Sequence, residues 1–439
     1  MVCAPTYDIG EGREIAIVKL TPLLLAAGLA IGATAHAEPT PPSEPSKASE
    51  PLTAERLLSR WRTRSKEVEG WRTAVGAARF DEISAGLLPN PEVGVDFVKL
   101  IGGQPPDGKF GVEGTLAVPL PIFGQVGAKK SLAKRNLEVA EMQVLVQLWD
   151  RAGALAATMV ERAYLHEQLR AAERSLEELE RIERVVQKRA AAGANGPYDL
   201  LRVQIARGQR TALRDNVQAA RDQSEAKLLA TLADPALGGA AITREGLRAF
   251  AGPDDEAALI RLALDRRPDL QLARRSVEAS RAGADFAKKD ARPVPRLSAS
   301  PYWVGGPYGF QLTFGLTVPV PLFDRNQGQI GRANQETRGG ELTVEVLTER
   351  VRAEVRGAYR ARKAAAAALE RYRRETIART GELLHRAEVT YEAGAFSIAE
   401  LFDAYEMLWS ARDEEIALER QWAGAEVALE QAAVLIPLR

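Results

Sequence analysis

Strict alternation of apolar and polar residues marks four short segments of the chain. In the clearest one, residues 310–320, apolar residues occupy every second position, and glutamine, threonine, glycine and one proline lie between them. The same alternation marks residues 92–97, 112–120 and 297–303. A period of two predicts β-strands with one apolar face and one small or polar face. The Gly- and Pro-rich segments 101–111 and 304–309 are expected to join these strands as two hairpins.

Much longer segments with a helical pattern follow each pair of strands. Residues 128–192 contain no proline, and a helix of that length would span roughly 100 Å. Its apolar residues step by four and three, as in a coiled-coil seam, at Leu165, Leu169, Ala172, Leu176 and Leu179. Residues 333–392 also lack proline and predict a second long helix, which Gly339-Gly340 is expected to loosen near its start. Helices of this length favour an extended protein over a compact enzyme core.

The two halves of the chain repeat one pattern at an offset of about 200 residues. Residues 118–123 read VPLPIF, and residues 318–323 read VPVPLF. A second match pairs Ala192-Gly193-Ala194 and Asp199-Leu200-Leu201 with Ala393-Gly394-Ala395 and Glu400-Leu401-Phe402. Two matches in the same order and at nearly the same offset indicate an internal duplication.

Each copy of the duplication has the same predicted order of elements. It begins with a helix, at about 54–85 in copy one and 256–290 in copy two. Two strands, a very long helix, a tight turn and a returning helix follow. The chain is therefore expected to contain two repeats, 53–240 and 241–439, of a mixed fold with long α-helical hairpins and β-strands. Strands of about ten residues match the thickness that a transmembrane barrel must span, and a soluble sheet with one solvated face is the alternative.

The start of the chain predicts export. Residues 1–37 contain a short apolar run that ends at the A-x-A cleavage site Ala35-His36-Ala37. Acidic residues precede Val18, which would be a more ordinary start for such a signal. Residues 38–52 are rich in proline and serine and predict an extended lead-in. The single cysteine, Cys3, would leave with the signal, so that the mature chain would have no thiol.

Charge and chemistry argue against an enzyme or a nucleic-acid-binding protein. Lys plus Arg and Asp plus Glu number 59 each, so no net charge attracts nucleic acid or acidic lipid. His166 and His385 lie far apart in helical segments, where a packed or solvated histidine is the ordinary role. Neither a nucleophile–base pair nor a cluster of metal ligands stands out. The sequence therefore predicts a non-enzyme without cofactor or bound metal.

Four strands are too few to close a barrel. An open sheet edge in lipid leaves backbone groups unpaired, at several kcal/mol each. Identical neighbours are therefore expected to share one barrel. Two copies would give eight strands, which fill their interior with side chains, whereas three copies give twelve strands and room for an aqueous lumen. The same symmetry would continue the β-barrel as a trimeric α-barrel.

This duplicated plan resembles the TolC-type outer-membrane efflux channels over essentially the whole mature chain. The resemblance is carried by the paired V-P-x-P-[IL]-F segments, by Arg267-Pro268-Asp269-Leu270 at the start of a helix, and by the G-A-x-x-x-x-[DE]-L turns. The run from Pro321 to Gly328 is most similar to the branch that serves cobalt–zinc–cadmium-type cation export. Copy one departs from that branch, because Gly124-Gln125-Val126 replaces the Asp-Arg-Asn-Gln stretch.

The resemblance implies a passive duct in the outer membrane that extends into the periplasm. Its partners would be two identical subunits, a periplasmic adaptor of the membrane fusion type and a proton-driven inner-membrane pump of the RND type. No nucleotide-binding G-x-x-x-x-G-K-[ST] loop occurs in the sequence. The branch implies heavy-metal cations as cargo. A duct for drugs or for type I protein secretion is the alternative, and a periplasmic adaptor protein is a more distant one.

The resemblance also assigns candidate gate residues. In the family, the positions that Glu400 and Asp403 match form acidic rings at the narrow periplasmic mouth. Threefold symmetry would gather six carboxylates there, where they would bind cations or hold protons above their usual pKa. Asp199 and Arg202 follow the first turn, and Arg202 is expected to pair with Asp403 and latch the mouth. The alternative is that Asp199, Glu400 and Asp403 only complement the dipole at a helix start.

The turns themselves are the expected docking surface for the adaptor. Gly193 and Gly394 suit the left-handed conformation at which a helix can stop and reverse. Pro197 suits the first position of the returning helix. The candidate docking residues are Gly193, Asn195, Gly196, Pro197, Gly394, Phe396 and Ser397.

Overall fold

The computed structural model describes residues 54–99, 101, 110–191, 197–232, 244, 247, 252–304 and 309–436. Several sequence predictions fall outside these ranges. They are the export signal, the start at Val18, Cys3, the lead-in of residues 38–52, and the turn residues Gly193, Asn195 and Gly196.

Helices and strands follow each other twice in the predicted order. The first copy contains α1 (Ala54–Arg64), α2 (Lys66–Ala85), β1 (Glu92–Lys99), β2 (Phe110–Pro119), α3 (Gln125–Ala191) and α4 (Pro197–Leu232). The second contains α5 (Glu256–Arg266), α6 (Pro268–Asp290), β3 (Arg296–Val304), β4 (Gly309–Thr317), α7 (Gln327–Tyr372), a π-helical turn (Arg373–Ile377), α8 (Ala378–Glu392) and α9 (Ile398–Ala432). None of the described helices is both long and apolar enough to cross a membrane.

The first predicted helix of each copy is in fact two helices. In copy one, Ser65 has an extended backbone (φ −68°, ψ 127°) between α1 and α2. In copy two, Arg267 (φ −60°, ψ 122°) separates α5 from α6. The second break follows from Pro268, because proline disfavours a helical backbone in the residue before it and fits the first position of a new helix. The predictions of single helices over 54–85 and 256–290 are wrong at these points.

The second long helix is regular where the sequence predicted a weak point. α7 continues through Gly339 and Gly340. A Cβ atom at Gly340 would lie 3.0 Å from Cγ2 of Val277 on α6, so this glycine lets α6 and α7 pack closely. That packing offsets the cost of about 1 kcal/mol for a glycine inside a helix. The predicted loosening is therefore wrong, and the irregular turn between Gln327 and Glu392 is instead Arg373–Ile377.

The coiled-coil seam of α3 is confirmed as a buried stripe. Its buried apolar members include Leu165, Leu169, Ala172 and Leu179. Leu176 is only partly buried, and the neighbouring Ser175 takes the fully buried position in that turn. The Ser175 hydroxyl donates to the carbonyl of Ala172 (2.8 Å). α3 packs against α2, α4, α6 and α9, and α9 packs in turn against α7 and α8. The long helices therefore lie side by side, with α4 and α8 on opposite sides of the α3–α9 pair.

The four strands form one antiparallel sheet in the order β1-β2-β3-β4. Its register pairs Val93 with Leu116, Val112 with Trp303, and Ala299 with Phe314, so that the apolar side chains share one face. That face carries Val93, Val95, Phe97, Phe110, Val112, Leu116, Leu297, Ala299, Trp303, Phe310, Leu312, Phe314 and Leu316. The opposite face carries Gly94, Asp96, Glu113, Thr115, Ser298, Ser300, Gln311 and Thr313. The alternation is confirmed, although β4 ends at Thr317, before the predicted Val318 and Val320.

Nothing in the described part of the chain covers the apolar face. Phe97 is 80% exposed and Phe314 is 72% exposed. Strands β1 and β4 each pair with a single described strand, so both outer edges of the sheet have unpaired backbone groups. An exposed apolar face with two unpaired edges is a surface that a partner or a membrane would cover.

Candidate functional site

One apolar cluster joins the starts of the returning helices α4 and α9. This turn-end cluster has the buried members Leu179, Ile182, Val186, Val203, Ala206, Ala387, Ile398, Leu401, Phe402, Ala404 and Trp409. They belong to α3, α4, α8 and α9. Burial of their apolar surface therefore holds both hairpin ends together, and with them the predicted gate residues.

A capping box begins α9. The Ser397 hydroxyl accepts a hydrogen bond from the Glu400 backbone N–H (3.3 Å), and the Glu400 carboxylate accepts one from the Ser397 backbone N–H (2.7 Å). The hydrogen bonds from Ser397 hold the pKa of Glu400 below its usual range. Gly394, with φ +74°, supplies the left-handed residue after α8. Glu400 thus serves the helix start, and its place in an acidic ring stays a prediction.

Ser397→Ala is expected to loosen the first turn of α9. Loss of a serine N-cap costs about 1 kcal/mol, so the amides of Glu400 and Leu401, which donate to the Ser397 hydroxyl and carbonyl, should exchange with solvent roughly five-fold faster. Hydrogen–deuterium exchange of the purified protein measures this. Ser397→Asp is the matched control, because aspartate is an equally good N-cap. Unchanged exchange in the alanine variant would contradict the capping role.

Two arginines of α4 form ion pairs with α9. Arg202 binds Asp403 and makes a longer contact with Glu406 (3.7 Å). Arg210 binds Asp413 at 2.5 Å. The pairing of Arg202 with Asp403 that the sequence predicted is therefore present within one chain. Whether it latches a mouth stays a prediction.

The same two arginines also stack on aromatic rings of α9. The Arg202 guanidinium lies 5.1 Å from the centre of the Phe402 ring, and that of Arg210 lies 5.5 Å from the centre of the Trp409 ring. Cation–π contacts of this kind add to the ion pairs. Each arginine thus holds α4 to α9 through both charge and ring contact.

Three other residues that the sequence analysis selected, Asp199, Pro197 and Phe396, lie at the turn end but take no part in these ion pairs. Asp199 is half-buried in the first turn of α4 and forms no ion pair with any described residue, so a helix-dipole role fits it. Pro197 is the first residue of α4, as predicted. Phe396 is 38% exposed in the second turn. Their contact with an adaptor stays a prediction.

Two hydrogen-bonded aromatic residues at the turn-end cluster were not predicted from the sequence. The Tyr405 hydroxyl donates to Glu388 (2.7 Å), and the Trp409 indole N–H donates to Glu178 (2.5 Å). Burial and the contact with Glu388 raise the pKa of Tyr405 far above its usual value, so its hydroxyl remains a donor. The spacing of Phe402, Tyr405 and Trp409 by three and four is the signal that could have predicted a buried aromatic face.

The described residues contain no group of three or more His, Cys, Asp or Glu side chains arranged to hold a metal ion. His166 lies on α3 and His385 lies on α8, in helices as the sequence predicted. The chemistry visible at the turn end is therefore that of ion pairs, helix caps and packed aromatic rings.

Part of the chain matches a known family, and most of it is similar to one curated protein. The family model described as outer membrane efflux protein matches residues 259–433. The chain is 24% identical, over 411 residues, to the pyoverdine export outer membrane protein OpmQ of Pseudomonas putida. That similarity covers 86% of this chain and 85% of the relative.

Solved structures share the fold at lower sequence identity. A structure of CusC has a TM-score of 0.73 at 18% identity and covers 87% of this chain and 92% of its own. The outer membrane protein VceC of Vibrio cholerae has a TM-score of 0.72 at 16% identity, covering 87% and 95%. The open state of the Neisseria gonorrhoeae MtrE outer membrane channel has a TM-score of 0.73 at 16% identity, covering 87% and 88%. At these identities the likeness establishes the fold.

Proposed function

We propose that this chain, whose residues 259–433 match the family model described as outer membrane efflux protein, is one of three identical wall subunits of a passive exit duct. The protein resides in the outer membrane and extends into the periplasm, like its relatives. The observation that carries the proposal is the sheet with one exposed apolar face and two open edges. Such a sheet is incomplete in one chain.

In the proposed assembly, lipid covers the apolar face of the sheet, and strands of neighbouring copies pair with its two open edges. The apolar face gains about 25 cal/mol for each Å² that it transfers from water. The open edges of β1 and β4 must find partners, because unpaired backbone groups in lipid cost several kcal/mol each. Three copies supply twelve strands, enough for an aqueous lumen, with small and polar side chains lining it.

The helices support the same assembly. Exposed large apolar side chains lie on α2 and α4, which flank α3, at Phe80, Ile83, Tyr198, Leu201 and Ile205. On the opposite side, α7 and α8 expose Leu342, Val346, Leu383 and Val389. A second copy placed beside the first would bury both sets, α2 and α4 of one copy against α7 and α8 of the next.

The oligomeric state and the conductance test this proposal directly. Native mass spectrometry of the detergent-extracted protein should give three chains per particle, and planar bilayers containing it should show water-filled conductance. A monomer that stays outside the outer-membrane fraction would contradict the proposal.

The turn end is proposed to be the periplasmic mouth, with Arg202 and Asp403 as its latch. Arg202→Asp replaces an attraction by a repulsion worth about 1 kcal/mol at such half-exposed positions. We therefore expect roughly five-fold more open time in single-channel recordings. The exchange Arg202→Asp with Asp403→Arg should restore the original open time. Arg214→Asp, also on α4, is the control. An equal increase of the open time in the Arg214→Asp control would contradict the latch role of Arg202 and Asp403.

The cargo has two candidates, and each has an observation in its favour. The Pro321–Gly328 run resembles the branch for heavy-metal cations. The name of the Pseudomonas relative states pyoverdine export, which favours a small organic chelator. We propose the metal-cation duct first. In either case a periplasmic adaptor and a proton-driven inner-membrane pump would deliver the cargo.

A deletion strain separates these candidates. The metal-cation duct predicts greater sensitivity to zinc, cobalt or cadmium, with unchanged release of organic chelators. The chelator duct predicts the reverse. Sensitivity to a broad drug panel instead would favour the alternative of a drug duct.

A further inference from the structure

A cavity of about 410 Å³ lies between helices of the single chain. Residues of α1, α3, α7 and α9 form its walls, and the described lining residues are separate from the turn-end cluster. Cavities that bind small organic molecules have volumes of roughly 300–1,000 Å³. This cavity is therefore large enough for a ligand of modest size.

The apolar part of the wall separates two clusters of buried side chains. Leu58 and Met159 belong to the first cluster, whereas Val160 and Ala423 belong to the second. All four side chains line the cavity, and Met159 is completely buried. Well-packed protein interiors contain few voids larger than a water molecule. A space of this size between two packed clusters therefore suits a ligand and is not ordinary core packing.

Two aromatic rings border the same space. Tyr164 belongs to the second cluster and is almost completely buried, and Trp422 lines the cavity from α9. The Arg244 guanidinium lies 5.9 Å from the centre of the Tyr164 ring, so this ring already has one cation beside it. Aromatic rings attract cations through the negative potential of their faces. The cavity thus combines apolar walls with two groups that favour positive charge.

Carboxylates outnumber guanidinium groups among the described lining residues. The carboxylates are those of Glu55, Glu426 and Glu430, and the guanidinium groups are those of Arg244 and Arg362. Both arginines also bind carboxylates outside the cavity. Arg244 lies 2.7 Å from Glu419, and Arg362, which pairs with Glu426 at 3.2 Å, lies 3.5 Å from Asp254.

Burial makes these carboxylates costly. Glu430 is only 4% exposed. Burial also raises the pKa of Glu426, although its ion pair with Arg362 acts in the opposite direction. Removing a carboxylate from water is unfavourable unless positive charge compensates it. A further cation in the cavity would supply that compensation, whereas an anionic ligand would be repelled.

We propose that this cavity binds a small organic cation with an apolar body. The body would lie against the side chains of α3, and the charge would lie near the rings and the carboxylates of α1 and α9. The inference goes beyond the proposed function, because the site lies within one chain and requires neither a trimer nor an open duct.

Benzyltrimethylammonium is the probe that tests the site. Isothermal titration calorimetry of the purified full chain, in a non-ionic detergent, should show saturable binding of one cation per chain. The midpoint of thermal unfolding should rise with the probe concentration, because a ligand that binds only the folded chain stabilises it. Benzylsulfonate has a similar body and the opposite charge, and it should not bind. The absence of saturable cation binding, or equal binding of the sulfonate, would overturn the proposal.

Two pairs of variants assign the binding to this cavity. Ala156→Phe fills the space without removing a charge and should abolish binding, whereas Ala157→Phe, at the next and exposed residue of α3, should not. Glu426→Gln should weaken binding roughly ten-fold, because it removes a negative charge beside the cation. Glu414→Gln, at an exposed residue of α9 away from the cavity, is its control. Circular dichroism confirms that each variant is folded. Unchanged affinity in both Ala156→Phe and Glu426→Gln would place the cation elsewhere and overturn the site.

Discussion

Phe314→Arg is expected to abolish assembly of the protein in the outer membrane. Phe314 lies in the middle of β4, opposite Ala299, on the apolar face, and it is 72% exposed. An arginine that faces lipid at the centre of the bilayer costs about 2–4 kcal/mol. Threefold symmetry would repeat this cost in every copy. Since the net stability of a domain is only about 5–15 kcal/mol, the total is decisive.

Thr313→Arg is the matched control for this experiment. Thr313 is the adjacent residue on β4 and is also exposed to solvent in the single chain, but its side chain belongs to the small and polar face. In the proposed barrel that face lines the water-filled lumen, so the same charge should be tolerated. The amount of heat-resistant trimer in outer-membrane fractions measures both variants. Equal assembly of the two would show that the apolar face does not contact lipid.

The strands were predictable because their signal is local. Every second residue from Phe310 to Leu316 is apolar, so the pattern fixes which side chains lie on the apolar face of the strand. The sequence also predicted that these faces need a partner. It could not predict where β4 ends, because Val318 continues the alternation after the backbone has left the sheet at Thr317.

The helical interruptions were less predictable because they depend on packing. Pro268 was a visible signal for the break at Arg267, whereas Ser65 carries no such signal. Gly340 looked like a weak point, but the structure uses it for close contact with α6. The π turn at Arg373 has no recognisable sequence pattern, since its charged partners Glu415 and Glu419 lie about 40 residues later on α9.

Among the gate residues too, contacts encoded locally were predictable, whereas contacts that depend on helix packing were not. The cap formed by Ser397 and Glu400 is encoded within four residues, and the S-x-x-E pattern was present in the sequence. The pairing of Arg202 with Asp403 was accessible through the repeat, because the two residues occupy equivalent positions in the two copies. The contact of Trp409 with Glu178 requires α9 to pack on α3, which no local pattern specifies.

Arg267 explains why the Arg-Pro-Asp-Leu motif matters physically. Its side chain is 4% exposed and makes a two-pronged contact with Asp269, at 3.0 Å and 2.6 Å. Its third nitrogen binds Glu354 on α7 at 2.5 Å. The guanidinium also lies 4.9 Å from the ring centre of Trp149 on α3. One residue at the α5–α6 break thus connects three parts of the helical layer.

Arg267→Met is therefore expected to destabilise the fold severely. Methionine fills a similar volume but leaves Asp269 without its charged partner and Glu354 with only Arg350, and breaking a buried ion pair in this way costs about 3–5 kcal/mol. Arg267→Lys should have an intermediate effect, because lysine keeps the charge but not the two-pronged geometry. Arg261→Met, at a largely exposed position on α5, is the control and should change stability by less than about 0.5 kcal/mol. The midpoint of thermal unfolding by circular dichroism ranks the variants.

The effect of Arg267→Met should also depend on pH. Burial alone would raise the pKa of Glu354, but hydrogen bonds from Arg267 and Arg350 outweigh burial and hold that pKa below its ordinary value of 4.5. A carboxyl with a lowered pKa stabilises the fold above its unfolded pKa, and this contribution is lost as the pH falls through the folded pKa. The unaltered protein should lose the contribution as the pH falls below about 4.5, whereas the methionine variant keeps only the part that Arg350 supplies. The difference between their unfolding midpoints should therefore be largest near neutral pH and should narrow in acid. A constant difference across this range would show that packing around Trp149, and not the ion pair with Glu354, is what Arg267 contributes.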